Sequence, residues 1–259
     1  MNLLLLDPGE LAAGPRVRLD GRRLRHAREV LRAEPGDDLR VGELGGRLGR
    51  GRVLAIDDSV LELEVRLDSE PPDPLPVDLV LALPRPPSLR RVLQQATALG
   101  VKRFALIHSA RVEKSFWNSS ALRPAALEEQ LRLGLEQSRD TVLPSVETFR
   151  RFRPFVEDTL PEWSRGRRLR LAHPAPDGPP SPGETPEASG PSVLIVGPEG
   201  GFVPYEFERL CEAGARPLAL GSRPLRVETA VVALLGALAA SVERGRQSGA
   251  PTSDPRGSP

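Results

Sequence analysis

Two segments near the carboxyl end carry residues whose types and spacing could do chemistry. In the first, the apolar run Val193–Val196 ends in Gly197-Pro198-Glu199-Gly200-Gly201, and a helical pattern begins at Pro204. A glycine turn at the carboxyl end of a buried strand lies where open α/β sheets bind ligands. Glycines also let a ligand approach main-chain N–H and C=O groups closely. The loop has neither a G-x-G-x-x-G nor a G-x-x-x-x-G-K-[ST] pattern, and Glu199 disfavours an anion, so it suits a neutral or cationic ligand read by backbone groups. In the second segment, the strand Pro217–Leu220 ends in Gly221, and the turn Ser222-Arg223-Pro224-Leu225-Arg226 enters a helix at Glu228. Arg226 and Glu228 sit next to this turn, and Glu228 in the first helical turn has an ordinary role in complementing the helix dipole.

The two segments resemble the SPOUT-class methyltransferases, and within them the family that methylates uracil N3 in 16S ribosomal RNA. The resemblance rests on Gly197–Gly201 and on Leu220, Gly221, Leu225, Arg226, Glu228, Thr229 and Ala230, in register with an LG-x-x-[IL]-L-R-x-E-T-A pattern. Further matches are His26, Val30, Leu31, Arg32, Gly36 and Asp37 near the amino end, Ala96 to Val101, and Glu136-Gln137-Ser138. It covers about residues 2–244. It implies an α/β fold: a trefoil-knotted SPOUT domain preceded by a small PUA-like β-barrel. It also implies S-adenosyl-L-methionine held by Gly197, Pro198, Glu199, Gly200, Gly201, Leu220, Gly221, Leu225 and Arg226, catalytic roles for Arg226 and Glu228, a homodimer, and 16S rRNA or the small ribosomal subunit as partner. The chain departs from the family pattern at Gln95, Ala98, Asp140 and Pro224. A paralogue with another RNA target, a non-catalytic RNA-binding or ribosome-assembly protein on the same scaffold, and a nucleotide-binding enzyme using the glycine loop remain as other readings.

An RNA substrate must be gripped. Residues 16–32 hold seven arginines against Asp20 and Glu29. Arg16, Arg22, Arg23 and Arg25 from this stretch, with Arg111 and Arg139, are the candidates for RNA contact, and phosphate neutralisation there would make binding salt-dependent. Lys114, Arg165, Arg167, Arg168 and Arg170 are further candidates. A solvated helix face is the alternative for the 16–32 stretch.

The elements that position these residues follow from periodicity. Over 1–70, Leu3–Leu6, Arg16–Leu19, Leu39–Val41, Gly49–Ile56 and Val60–Leu67 read as short strands. Arg22 to Ala33 reads as a helix with Leu24, Ala27, Val30 and Leu31 on its buried face. Such strands suggest a small barrel. Four prolines in the nine residues 68–76 make a stiff linker. Over 77–246 strands and helices alternate: strands at 77–83, 104–108, 168–172, 193–196 and 217–220, helices at 88–99, 121–138, 204–213 and 228–244. That pattern predicts a mostly parallel sheet with helices on its faces. The last helix is apolar almost all round and needs cover from the sheet or a second subunit. Ten of the nineteen residues 174–192 are Pro or Gly, read as a surface loop, and 247–259 as a disordered tail.

Composition excludes several classes. The 259 residues carry 36 basic and 35 acidic side chains, so the net charge of +1 does not describe a polyelectrolyte-coating protein. Of the basic residues only Lys102 and Lys114 are lysines, which the abundance of Ala, Pro and Gly attributes to codon bias. One cysteine, Cys211, and three scattered histidines give neither a disulfide framework nor a metal site. The four leucines at 3–6 are too short for an export signal, and Thr229–Val242 is shorter than the ~20 residues a membrane span needs. A cytoplasmic protein is expected.

Overall fold

The computed structural model describes residues 2–173, 190–221 and 223–248. The loop and tail read from the sequence fall largely on 174–189 and 249–259, outside the described residues. The chain divides into two compact units: Met1–Leu75, Leu83–Ala105 and Glu113–Thr148 form the first, Pro76–Ala82, Leu106–Val112 and Phe149–Pro259 the second.

In the first unit, β1 (Leu4–Leu6), β2 (Arg16–Leu19), β3 (Asp38–Glu43), β4 (Leu48–Ile56) and β5 (Leu61–Ser69) form one sheet in the order β1-β3-β4-β5-β2. Only β1 and β3 run parallel; the other pairs are antiparallel. Alternation decides which residues are buried. Leu4 and Leu6 join Val17, Leu19, Val41, Leu61 and Leu63 in one core, while Leu3 and Leu5 turn the other way onto Leu135. An otherwise unexplained run of four leucines is thus a strand buried on both faces.

Helix α1 (Gly21–Glu29) covers that core with Leu24 and Ala27. It ends one turn earlier than the periodicity suggests. Val30 and Leu31 both donate their N–H groups to the His26 carbonyl, Arg32 adopts φ 51°, and Ala33 N–H returns to Ala27 C=O. The chain therefore swings off the helical face, and Val30 and Leu31, expected in the core, are 64% and 42% exposed.

Helices α2 (Pro86–Ala98) and α3 (Pro124–Ser138) both start on proline, whose fixed φ and missing N–H suit the first turn. Two 3-10 turns, Lys114–Asn118 and Ser120–Leu122, lead into α3. The helices approach at Gly134, where a Cβ would lie 2.6 Å from the Gln94 carbonyl oxygen, so no larger residue fits. Strands β7 (Arg103–Ile107) and β8 (Ser145–Phe149) carry the chain across the division between units.

The second unit holds β6 (Val77–Ala82), β9 (Arg168–Ala172), β10 (Ser192–Val196) and β11 (Arg216–Leu218), all parallel, in the order β11-β9-β10-β6. Every residue of β6 and β10 is buried, as central parallel strands are when both faces are covered. Before β9 come α4 (Phe152–Pro154), a π turn (Phe155–Thr159) and α5 (Leu160–Trp163). Helix α6 (Pro204–Glu212) joins β10 to β11, and α7 (Val227–Ser248) packs on β10. Val231, Leu234, Leu235 and Leu238, at three- and four-residue spacing, are the stripe α7 buries. Among the described residues no helix is long and apolar enough to cross a membrane.

Candidate active site

The carboxyl ends of β9, β10 and β11 open onto one cavity of about 330 Å³, lying wholly within the second unit. Both glycine segments line it. Gly197, Pro198, Glu199, Gly200 and Gly201 come from the loop after β10, and Leu220, Gly221, Arg223, Pro224 and Leu225 from the loop after β11. Ala172 and His173 after β9, and Val227, Ala230 and Leu234 of α7, complete the wall with Arg111.

The sequence folds this way for local reasons. Gly201 and Gly221 sit at φ 72° and 111°, which favour glycine. Gly201 N–H closes the turn onto the Pro198 carbonyl at 2.8 Å. A Cβ on Gly197 would stand 3.1 Å from the Phe202 ring, so the backbone itself forms the wall there. Pro204 starts α6 immediately after.

Glu206, one helical turn into α6, is 3% exposed and braces the site. Its Oε1 accepts from Ala110 N–H at 2.7 Å and its Oε2 from Val203 N–H at 3.2 Å. One carboxylate thereby joins the segment after β7 to the glycine loop. Arg111, next to Ala110, donates from Nη1 to the Gly200 carbonyl. Sequence reasoning singled out Arg111 for RNA; its place is the cavity wall. It missed Glu206 and His173, whose ring packs against Phe207 at a tilt of 47° with centroids 4.6 Å apart. An acid three residues after the helix-entry position was the available signal for Glu206.

Arg226 and Glu228 follow the second loop directly. Arg226 is exposed, with its carbonyl accepting from Ala230 N–H at 2.8 Å, and Glu228 is 9% exposed in the first turn of α7. Neither side chain lines the cavity, whereas the other eight candidate cofactor residues do.

Of the other candidate arginines, Arg165, Arg167, Arg168 and Arg170 belong to the second unit and the rest to the first. Arg16 faces Glu64 across paired strands at 3.7 Å. Arg22 makes a two-pronged pair with Glu136, which is 2% exposed, and Arg23 makes another with Glu10. Arg25 is exposed on α1, and Arg139, also exposed, caps α3 at φ 59°. Asp140 is buried, accepting from Lys102 Nζ at 2.6 Å and from Val142 N–H at 2.9 Å. Among the described residues no group of three His, Cys, Asp or Glu could hold a metal ion.

A parallel sheet whose strand ends and two glycine loops enclose one cavity defines the class of protein. Residues 71–239 match the family described as the RNA methyltransferase domain. The chain belongs to the ribosomal RNA small subunit methyltransferase E family: it is 30% identical over 251 residues to the Mycobacterium bovis member, covering 93% of this chain and 90% of that one. The Treponema pallidum member is 26% identical over 235 residues, covering 90% and 88%. The crystal structure of the Neisseria gonorrhoeae enzyme of this name, bound to S-adenosyl methionine, has a TM-score of 0.70 at 26% identity, covering 93% of this chain and 97% of that chain.

Proposed function

We propose that this protein methylates N3 of a uridine in 16S ribosomal RNA, using S-adenosyl-L-methionine. The observation that carries the reading is the shared cavity: two loops about twenty residues apart in sequence line one space. The residues present fit the cofactor. Val196, Leu218, Leu220, Leu225 and Leu234 offer apolar walls for a flat heterocycle, while glycine backbone supplies hydrogen-bonding groups. Glu199 gives a carboxylate compatible with a cation. When bound, the cofactor supplies an electrophilic methyl group carried on a sulfonium.

The protein must then make uracil N3 nucleophilic and aim it. N3 is weakly acidic, so its proton must leave or be offset as the bond forms. Arg226, exposed beside the cavity loop, stabilises the negative charge that spreads onto the uracil oxygens. Glu228 accepts the N3 proton or orients Arg226. The apolar wall excludes water, and holding both reactants in line supplies much of the rate.

The same reading includes a PUA-like barrel over 1–70 that contacts RNA through Arg16, Arg22, Arg23, Arg25 and Arg139, with Arg111 a further contact. It includes a knotted methyltransferase domain over 77–246, a tail after it, a homodimer and a cytoplasmic location. The barrel is supported by the five-stranded sheet covered by α1, and the knot by the convergence of the β10 and β11 loops. The dimer is supported by Leu220 and Leu225, each 44% exposed, and by the half-buried apolar flank of α7 at Val232 and Ala239.

The test is nuclease digestion and mass spectrometry of 16S rRNA from small subunits incubated with protein and cofactor. N3-methyluridine should appear with the wild type. It should be lost in Arg226→Ala, whose calorimetric cofactor affinity stays within about threefold. No N3-methyluridine with the wild type would overturn the reading, and lost cofactor binding would make Arg226 structural.

A further inference from the structure

Tyr205 is the single tyrosine of the chain and the one exposed aromatic side chain among the described residues. It is 49% exposed, while every phenylalanine and both tryptophans are buried or half-buried. Aromatic rings ordinarily lend their large area to a core. This one stays on the surface of the first turn of α6, although Glu206 beside it and Leu210 further along are buried.

Its position ties it to the cofactor cavity, and all of its surroundings lie in the second unit. Helix α6 starts where the loop after β10 ends, at the carboxyl side of the sheet onto which the cavity opens. Phe202 lines that cavity, and three residues, at most about 11 Å of chain, separate it from Tyr205. One turn along α6, the Arg209 guanidinium carbon lies over the Tyr205 ring, 5.8 Å from its centroid, a cation–π contact that holds the ring in place. A second segment joins from α4. The Phe152 ring is 6.2 Å from that of Phe202, and Arg153 is within electrostatic reach of Tyr205. Arg153 is paired with Glu157 and Arg209 with Glu212, so the patch offers no large surplus of charge. What it offers is a π-face with guanidinium planes at its edge.

That chemistry fits a nucleobase. Unpaired bases of RNA stack on tyrosine rings and on guanidinium planes, and every base has a face to stack. A protein partner fits less well: Tyr205 is the only exposed large apolar side chain between residues 149 and 212, too small a patch for the core of a stable interface. We propose that Tyr205, edged by Arg209 and Arg153, is a stacking platform for an unpaired base of the RNA substrate close to the reacting uridine. The inference rests on the reading of the protein as an RNA methyltransferase. A base fixed beside the cavity limits the freedom of the strand that carries the target, which helps to aim N3 at the methyl group.

The test begins with overlapping fluorescently labelled 16S rRNA fragments, whose anisotropy identifies the most tightly bound one. On that fragment Tyr205→Ala should bind about tenfold more weakly, as alanine substitution at base–aromatic contacts does. Tyr205→Phe should bind like the wild type, and Tyr205→Leu like the alanine variant, because the π-face is what is recognised. Calorimetric cofactor affinity and melting temperature should be unchanged in all three, which shows an intact second unit. The fragment is then made with an abasic nucleotide at each unpaired position in turn. One position should weaken the wild type about tenfold and leave Tyr205→Ala no weaker than it already is. Unchanged RNA affinity in the alanine variant, or the absence of any abasic position coupled to Tyr205, overturns the platform. A variant that sediments as a smaller species yet binds RNA normally marks Tyr205 as a subunit contact, which overturns it too. Absence of N3-methyluridine with the wild type overturns the functional reading instead, and the abasic coupling still decides the platform.

Discussion

Glu206 should be the most sensitive positioning residue of the cavity. It is 3% exposed, and its two carboxylate oxygens satisfy two main-chain N–H groups from different segments, Ala110 at 2.7 Å and Val203 at 3.2 Å. Hydrogen bonds to a charged group contribute about 1.5–3 kcal/mol each. Ala110 is exposed and its N–H can turn to water, so the lower end applies, and Glu206→Ala should cost about 3 kcal/mol of folding stability. Glu206→Gln keeps one carbonyl oxygen as an acceptor but aims an amide donor at the other N–H, so about half that loss is expected. The stability change does not distinguish a structural acid from one that shapes the site. Cofactor affinity does, because Arg111 sits beside Ala110 and its guanidinium holds the Gly200 carbonyl in the cavity wall. Isothermal calorimetry should show S-adenosyl-L-methionine binding weakened at least tenfold in Glu206→Ala below its melting range, with Glu206→Gln between it and the wild type. An alanine variant that melts early yet binds the cofactor with wild-type affinity would refute the idea that this carboxylate sets the loop geometry.

Two further outcomes concern the first unit. Arg22→Ala leaves Glu136, 2% exposed, without its two-pronged partner. Removing one member of a buried pair costs ~3–5 kcal/mol, and because Arg22 is half exposed about 2–3 kcal/mol is expected in urea unfolding. An arginine that serves RNA alone would leave that midpoint unmoved. Glu10 gives a pH dependence: burial alone would raise its carboxyl, but the hydrogen bonds from Arg23 and Asp7 N–H outweigh it and hold the group below its usual 4.5. A lowered carboxyl stabilises the fold above its unfolded value, and that contribution fades as pH drops through the folded one. The difference in melting temperature between wild type and Glu10→Gln should therefore be constant from pH 6 to 8 and close below about pH 4. A difference that persists unchanged at pH 3 would mean the carboxylate charge is irrelevant there.

Much of this molecule can be read from its chain, and the parts that cannot share a cause. Central strands with continuous apolar runs, such as Val193–Val196, announce themselves because both sheet faces are covered. The glycine loops are legible because their conformations exclude other residues. What fails is whatever depends on a partner far away in sequence. Val30 and Leu31 fit a helical face until the chain turns at Arg32, and the turn is set by carbonyls at 26 and 27 rather than by a glycine or proline. Ser145–Phe149 is short, polar and mostly exposed, so alternation carries no signal. The segment 152–163 is helical through a π turn, with Pro154 and Pro161 interrupting any 3.6-residue period. Arginines show the limit most clearly. Seven lie within residues 16–32, yet Arg22 and Arg23 are bound to acids at 136 and 10. Arg216 becomes a neighbour of Arg170 only because β11 pairs with β9 in one register. Counting charges along a chain locates positive charge; only the pairing of strands and acids decides which of it is left to meet a phosphate.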